Sequence, residues 1–258
     1  MDRENFSPQH ILNPKKLRKG HTRWNQFAQF LQQYLQEESP APILDLGSGI
    51  GYFVYEGLLR NKDIWGVDPS MSKITRYQNL IQYTDSPKKW ARRCLVAKGE
   101  ELPFTTHRFA AVCSWYVLEH VANLGGVIRE LVRVTRKKGL IVIRAMDARN
   151  SWEGHCKIPW IPFLFGRLAA AWAEEFGVRA DKRQGVFDVT QPQVIAVLEA
   201  LGCEILSKAP EPKMLIENHW EIGTEKAVRK AARRIKDQYE NNLWFPQPEN
   251  LNIVARKI

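Results

Sequence analysis

The stretch ILDLGSGIGYF, Ile43 to Phe53, constrains the fold of this chain more than any other. Its apolar start predicts a buried strand, and the three glycines at alternate positions predict a tight turn whose backbone a ligand can touch. In an open α/β sheet, ligands bind beyond the carboxyl ends of the strands, where such a turn lies. The dinucleotide fingerprint needs its third glycine at the position of Tyr52, so the spacing argues against a pyrophosphate site.

An acidic residue, Asp68, ends the next apolar run, DIWGVD. Its separation from the glycines is typical of a carboxylate that accepts hydrogen bonds from both hydroxyls of a ribose. The alternative interpretation is an ordinary loop followed by a helix-capping aspartate. Because the strand, the glycines and the acid occur together in register, we favour a nucleoside site.

The rest of the chain alternates between strand and helix patterns. Such alternation predicts an α/β fold, a doubly wound and mostly parallel sheet, in a single domain over residues 1–258. Residues 1–40 form an N-terminal helical segment, and 147–185 and 211–245 are expected to be insertions on the substrate side. Strands are predicted over 42–47, 63–68, 93–98, 109–115, 139–146, 203–207 and 251–258, and helices over 23–35, 70–83, 124–136, 191–202 and 225–239.

Five motifs in this order resemble the class I S-adenosylmethionine-dependent methyltransferases, and among them the methyltransferase type 11 group. They are ILDLGSGIGYF, GVDPS, GEELPF, SWYVLEHV and RVTRKKGLIVI, within Ile43 to Ile143. The resemblance implies a seven-stranded Rossmann-like sheet with an antiparallel last strand. It also implies S-adenosyl-L-methionine as the cofactor and S-adenosyl-L-homocysteine as its product.

The resemblance further implies which residues bind the cofactor. Gly47 and Gly49 would lie against the methionine moiety, and Asp68 would bind the ribose. Pro69 and Met71 would flank the adenine, although a turn residue and a core residue fit these positions almost as well. The family's acid at the end of the third strand is replaced by Lys98, so that either the neighbouring acid, two residues later, substitutes for it or backbone contacts alone recognise the base. The remaining residues of the implied cofactor site are Asp45, Gly51, Gly99, Glu100 and Ser114.

Acceptor chemistry is predicted from the residues that follow the fourth and fifth strands. A hydroxyl acceptor needs a base to remove its proton, and His155 is the first candidate, with Glu153 available to fix its tautomer and His120 as second choice. The aromatic segment Ser151–Phe176 is expected to cover the acceptor, whereas the plainer interpretation is that its rings only attach a helix to the sheet. Lys157 can meet an acidic acceptor.

No metal is predicted. Glu119 and His120 are suitable ligand types, but the third acid that a similar motif in ubiquinone-pathway O-methyltransferases carries is Tyr116 here. Structural packing or a place in the acceptor site is therefore the favoured interpretation of this pair.

Net charge, apolar runs and cysteine spacing limit the kinds of partner and the cellular location that are expected for this chain. The net charge of +10 favours an acidic partner. The first ten residues lack the apolar core of a signal peptide, and no apolar run is long enough to span a membrane. The four cysteines form no CxxC pair. A cytoplasmic location is therefore expected. The leading function is methyl transfer to oxygen or nitrogen of a small molecule that is aromatic, lipid-like or acidic. The alternatives are an RNA or protein methyltransferase steered by basic residues of 225–239, and a protein that binds the cofactor without catalysis.

Overall fold

A seven-stranded sheet forms the centre of the protein, with the strand order β3-β2-β1-β4-β5-β9-β8. The computed structural model describes residues 7–35, 42–179, 183, 185–210, 224–240 and 250–258. The strands are β1 (Ile43–Leu46), β2 (Ile64–Asp68), β3 (Cys94–Val96), β4 (Phe109–Trp115), β5 (Thr135–Ala145), β6 (Trp152–Glu153), β7 (Ile158–Pro159), β8 (Cys203–Ser207) and β9 (Leu251–Lys257).

Five strands of the sheet, β1 to β5, run parallel, and β9 lies antiparallel to both β5 and β8. This topology confirms the predicted fold class, including the antiparallel last strand. Leu46 pairs with Val67 on one side and with Ser114 on the other. The carboxyl ends of β1, β2 and β4 therefore meet at one edge, and this edge carries the glycine turn.

Helices cover both faces of the sheet. They are α1 (Pro8–Ile11), α2 (Pro14–Phe30, continued by a π-helical turn Leu31–Leu35), α3 (Tyr52–Leu59), α4 (Met71–Tyr83), α5 (Leu124–Val134), α6 (Gly166–Glu175), α7 (Gln191–Ala200) and α8 (Glu225–Glu240). One apolar core includes residues of α5 and α7, and the other includes residues of α2, α3 and α4. The alternation of strand side chains supplies both cores, since Leu44 belongs to the first and Ile43 to the second.

Local signals set the ends of several elements. The Ser70 side chain accepts from the Lys73 amide and begins α4, as predicted. Thr190 and Gln193 form a capping box at the start of α7. The fifth strand begins at Thr135, four residues earlier than the sequence pattern predicts. This irregular start contains a register shift opposite Phe109–Ala111 and a positive φ of 60° at Lys138, so no strand periodicity is visible there.

A third apolar cluster lies outside the sheet. The small hairpin β6–β7 and helices α6 and α8 surround Trp172, Trp160 and Val228, all buried. The substrate-side insertions predicted over 147–185 and 211–245 coincide in part with this unit, and residues 211–223 and 241–245 of the second one lie outside the described residues. Among the residues that are described, no helix is both long and apolar enough to cross a membrane.

Candidate active site

The turn after β1 is held by hydrogen bonds between its backbone and β2. The amides of Gly47 and Ser48 both donate to the Val67 carbonyl, at 2.8 and 2.9 Å. A Cβ at Gly47 would stand 2.2 Å from the Val117 side chain, and the φ of 73° is itself unfavourable for other residues. Gly49 has a φ of 59°, but a Cβ there would meet no atom within 4 Å. Gly47 is therefore required by packing and conformation, whereas Gly49 faces open space in which a ligand can approach.

Asp68 ties this turn to the end of β2. Its side chain is 2% exposed and accepts from the amides of Gly49 and Ser70, both at 3.0 Å. The Lys73 ammonium lies 3.3 Å from the same carboxylate. Asp68 thus fixes the Gly49 backbone while it remains at the wall of a cleft.

This cleft has a volume of about 280 Å³ and lies at the carboxyl edge of the sheet. We call it the cofactor cleft. Its lining includes six of the residues predicted for the site, namely Gly47, Asp68, Pro69, Gly99, Glu100 and His120. Lys98, which replaces the family's acid, also lines it. Val67, Ala97, Val117 and Val121 supply apolar walls. An anionic group for a ribose diol and apolar walls for a base fit the nucleoside of S-adenosylmethionine.

Other residues predicted for cofactor binding lie below or beside this cleft. Gly51 packs on Tyr77, and Met71 is 65% exposed on α4. The Ser114 side chain is fully buried, and its hydroxyl has no hydrogen-bond partner in the described part of the chain. Asp45 is 3% exposed and accepts from the Cys113 thiol at 3.7 Å. Burial raises the pKa of Asp45 to about 7, against the opposing effect of Arg23.

A second cavity of about 350 Å³ adjoins the first, because Tyr116 and His120 line both. We call it the acceptor cavity. It contains both predicted histidines, together with Trp152 of the aromatic segment. The full lining is Lys19, Tyr116, Glu119, His120, Met146, Asn150, Trp152, Gly154, His155 and Asn250.

The structure brings the two candidate bases and the predicted orienting acid together. His155 Nδ1 lies 2.9 Å from Glu153 Oε1, and His155 Nε2 lies 3.4 Å from His120 Nε2. Glu153 is 2% exposed and its other oxygen accepts from the Cys156 amide at 2.6 Å. A fixed carboxylate on Nδ1 keeps the proton on that nitrogen and leaves Nε2 free to accept one. The cavity therefore contains an oriented proton acceptor.

Two further residues line the acceptor cavity, and one of them, Tyr116, was not assigned to the site from the sequence. Tyr116 has a φ of 59°, uncommon for a residue other than glycine, and its hydroxyl accepts from Asn250 Nδ2 at 3.1 Å. Glu119 is 1% exposed, and burial raises the pKa of its carboxyl against the opposing effect of nearby backbone amides. The LEHV motif pointed to Glu119 as a metal ligand or acceptor-site residue, whereas nothing in the sequence marks the conformation of Tyr116.

The aromatic segment divides between the two interpretations that the sequence left open. Trp152 lines the acceptor cavity, whereas Trp160, Trp172 and Phe176 pack in the third cluster. Phe163 and Phe165 are exposed. Lys157 is exposed and does not line the cavity.

Comparison with known proteins shows the family to which the chain is similar. Residues 18–208 match the sequence model of a family described as a methyltransferase domain. Two curated relatives are malonyl acyl-carrier protein O-methyltransferases. That of Legionella pneumophila is 30% identical over 145 residues, 55% of this chain and 43% of the relative. That of Halorhodospira halophila is 28% identical over 138 residues, 52% of this chain and 40% of the relative. The alignments thus span less than half of each relative.

Among solved structures, one similar protein is the geranyl diphosphate C-methyltransferase of Streptomyces coelicolor. Its structure was determined with Mg²⁺, geranyl diphosphate and S-adenosyl-L-homocysteine, and the similarity covers 100% of this chain and 88% of that protein's chain. The TM-score is 0.57 and the identity 16%. At this identity the likeness concerns the fold.

Proposed function

This chain belongs to the methyltransferase domain family, whose cofactor is S-adenosylmethionine, and we propose that it methylates a small molecule, on oxygen or nitrogen, in the acceptor cavity. The observation that carries this proposal is the junction of the two cavities at Tyr116 and His120. A methyl donor in the first cavity and an acceptor in the second would face each other there. Methyl transfer depends mainly on this alignment and on the exclusion of water, and much less on acid–base or covalent catalysis by protein side chains.

In this proposal the cofactor cleft holds the nucleoside. Asp68 would accept from the ribose hydroxyls, Pro69, Gly99 and Glu100 would surround the adenine, and Gly47 and Gly49 would adjoin the methionine part. When bound, the cofactor supplies a methyl group that its sulfonium has already activated. Asp45 lies below the turn, where its carboxylate can hold the loop or the amino group of the cofactor.

His155 is the proposed base for a hydroxyl acceptor. In the acceptor complex, the hydroxyl would take the place beside His155 Nε2 that His120 Nε2 occupies in the structure, 3.4 Å away. Glu153 then stabilises the imidazolium that forms when the proton arrives. An acceptor that is already ionised has no proton to lose, so it would only have to be positioned next to the methyl group. The curated relatives are named for malonyl acyl-carrier protein and the structural neighbour for geranyl diphosphate, so several acceptor types occur among similar proteins.

A macromolecular acceptor is less well supported, because half of the basic side chains of α8 are engaged by residues of the protein itself. Arg229 forms ion pairs with Glu174, Glu175 and Glu225. Arg233 also pairs with Glu175, and Lys236 donates to its carbonyl at 3.0 Å. Three of the six basic side chains predicted to attract RNA are therefore engaged within the protein.

Isotope transfer tests the proposal directly. The purified protein is incubated with S-adenosylmethionine labelled on the methyl group and with separated small-molecule, RNA and protein fractions of a cell extract. We expect label in the small-molecule fraction, and none when the protein is omitted. Label that enters only RNA or protein would contradict the proposal.

A further inference from the structure

Three cationic side chains converge around Tyr116, at the wall shared by the two cavities. The guanidinium carbons of Arg23 and Arg144 lie 5.8 and 5.7 Å from the centre of its ring. Lys19 lines the acceptor cavity beside Tyr116. We call Lys19, Arg23 and Arg144 the Tyr116 cation cluster.

No carboxylate in the described part of the chain forms an ion pair with any member of this cluster. Lys19 and Arg23 stand four residues apart on α2, where like charges destabilise a helix. Lys19 is exposed at the mouth of the cavity it lines, and partial desolvation, and secondly the charge of Arg23, lower its pKa. Arg144 donates to the neutral Gln26 side chain at 3.3 Å, and its buried Nε has no hydrogen-bond acceptor among the described residues. The spacing of Lys19 and Arg23 and the unsatisfied Nε of Arg144 are unfavourable features that an anionic ligand would offset.

We propose that Lys19, the member of the Tyr116 cation cluster that lines the acceptor cavity, binds an anionic group of the acceptor, and that the acceptor is therefore a small carboxylic or phosphorylated compound. This inference rests on the proposed function, because it takes the second cavity as the acceptor site. The aromatic ring holds the two guanidinium groups in place through cation–π contacts. Lys19, which lines the cavity, contacts the anion.

The cofactor also carries a carboxylate, which is the other anion that this cluster can attract. Arg23 lines neither cavity, and its charge opposes the rise in the pKa of Asp45, the strand residue two positions before Gly47. Lys19 lines the acceptor cavity and is absent from the lining of the cofactor cleft. The positions therefore assign Lys19 to the acceptor.

The same cavity is lined by Glu119 and by His155, whose Nδ1 contacts Glu153. Burial raises the pKa of Glu119, which favours its uncharged form and lessens repulsion of an anion. An acceptor that satisfies all of these groups has an anionic group for Lys19 and a hydroxyl or amine for His155. Hydroxy acids and phosphorylated alcohols have this combination, and both carry a net negative charge.

The test fractionates a small-molecule extract by ion exchange before any enzyme is added. Each anionic, neutral and cationic fraction is incubated with methyl-labelled S-adenosylmethionine and the wild-type protein. The acceptor purified from the active fraction is then assayed with Lys19→Gln, with Lys19→Arg as the conservative variant, and with Lys15→Gln as a control that removes an exposed charge one turn away. Calorimetry with S-adenosylhomocysteine is performed on every variant.

We expect label transfer in the anionic fraction. For Lys19→Gln we expect the KM for the acceptor to rise at least about tenfold with unchanged S-adenosylhomocysteine affinity, since one charge-assisted contact is lost. Lys19→Arg should restore most of the affinity, and Lys15→Gln should behave as wild type. Label confined to the neutral or cationic fraction overturns the inference and leaves the proposed function intact. Weakened S-adenosylhomocysteine binding in Lys19→Gln assigns the charge to the cofactor and overturns it as well. Absence of label in every fraction rejects the proposed function itself.

Discussion

Asp68 illustrates how one residue can serve both the fold and the ligand. A carboxylate has about four acceptor positions, and the amides of Gly49 and Ser70 and the ammonium of Lys73 take up three of them. Two ribose hydroxyls need two positions, so one present donor must leave. The Lys73 side chain is 49% exposed, and it can return to water at lower cost than the backbone amides.

Replacement of Asp68 by alanine is therefore expected to have two effects. The loss of charge-assisted bonds should weaken S-adenosylhomocysteine binding by roughly 1.5–3 kcal/mol, and the loss of the Gly49 tie should lower the free energy of unfolding. Calorimetry measures the first and urea denaturation the second. Lys73→Ala is the control and should leave the affinity within about threefold of wild type. A folded Asp68→Ala protein with unchanged affinity would remove this residue from the cofactor site.

The buried Asp45 makes stability depend on pH. Burial raises its pKa from 3.8 to about 7 in the folded protein, whereas the unfolded chain keeps the ordinary value. The folded state then binds the extra proton between these values, so the contribution of Asp45 to stability is greatest below 3.8, falls as the pH rises towards 7, and is constant above. The total cost of the buried charge is about 4 kcal/mol.

Asp45→Asn should remove this dependence. We expect the variant to be more stable than wild type at pH 8, by up to about 4 kcal/mol, and by much less at pH 5. Urea denaturation at the two pH values measures the difference, and a difference independent of pH would contradict the raised pKa. Weaker S-adenosylhomocysteine binding in the same variant would indicate that the carboxylate also serves the cofactor.

Removal of the imidazole in His155→Ala should leave S-adenosylhomocysteine binding unchanged and reduce turnover of a hydroxyl acceptor by about 100-fold or more. Initial rates with the identified acceptor, and calorimetry of the same preparation, measure the two quantities. His107→Asn, at an exposed histidine with a φ of 63° that asparagine tolerates, is the matched control. Normal turnover in His155→Ala would return this histidine to a structural role.

Activity is expected to survive removal of divalent metals. Among the described residues, no group of three or more histidine, cysteine or acidic side chains is placed to hold a metal ion. His155 instead contacts His120 and Glu153. Exhaustive treatment with a chelator, followed by the methyl-transfer assay, tests this expectation. Abolished activity that magnesium restores would overturn it.

At the scale of elements, the hairpin β6–β7 and helices α6 and α8 form a unit with its own core. Trp172 is 1% exposed and its Nε1 donates to the Pro159 carbonyl at 2.8 Å, which joins α6 to the hairpin. The hairpin in turn carries Glu153 and leads to His155. The position of the proposed base thus depends on a side chain seventeen residues later in the sequence.

Trp172→Phe is expected to separate acceptor chemistry from cofactor binding. Loss of the Nε1 bond leaves a buried carbonyl unpaired and costs about 1–3 kcal/mol, which should loosen the hairpin. Hydrogen exchange over 151–176 should therefore accelerate and turnover should fall, while S-adenosylhomocysteine affinity is retained. Trp90→Phe, outside this unit, is the control. Equal exchange in both variants would show that Trp172 does not hold the hairpin.

For the whole molecule, the sequence predicted the sheet much better than the acceptor cavity. Buried parallel strands show continuous apolar runs, and the glycine turn needs particular residues at fixed positions, so both are visible locally. The acceptor cavity is assembled from distant segments: Asn250 bonds to Tyr116 across 134 residues, and Arg144 to Gln26 across 118. No local pattern records such contacts. The contact between His155 and Glu153 could be predicted from the sequence because the two residues are only two positions apart.

The shared wall of the two cavities also determines which positions can be changed, by design or in evolution, to alter the acceptor specificity of this protein. A substitution at Tyr116 or His120 alters the surroundings of donor and acceptor together. Lys19, Asn150, Trp152 and Asn250 line the acceptor cavity alone. Libraries that vary these four positions would explore new acceptors at little risk to the cofactor, and natural variation among descendants of this sequence should accumulate at the same four.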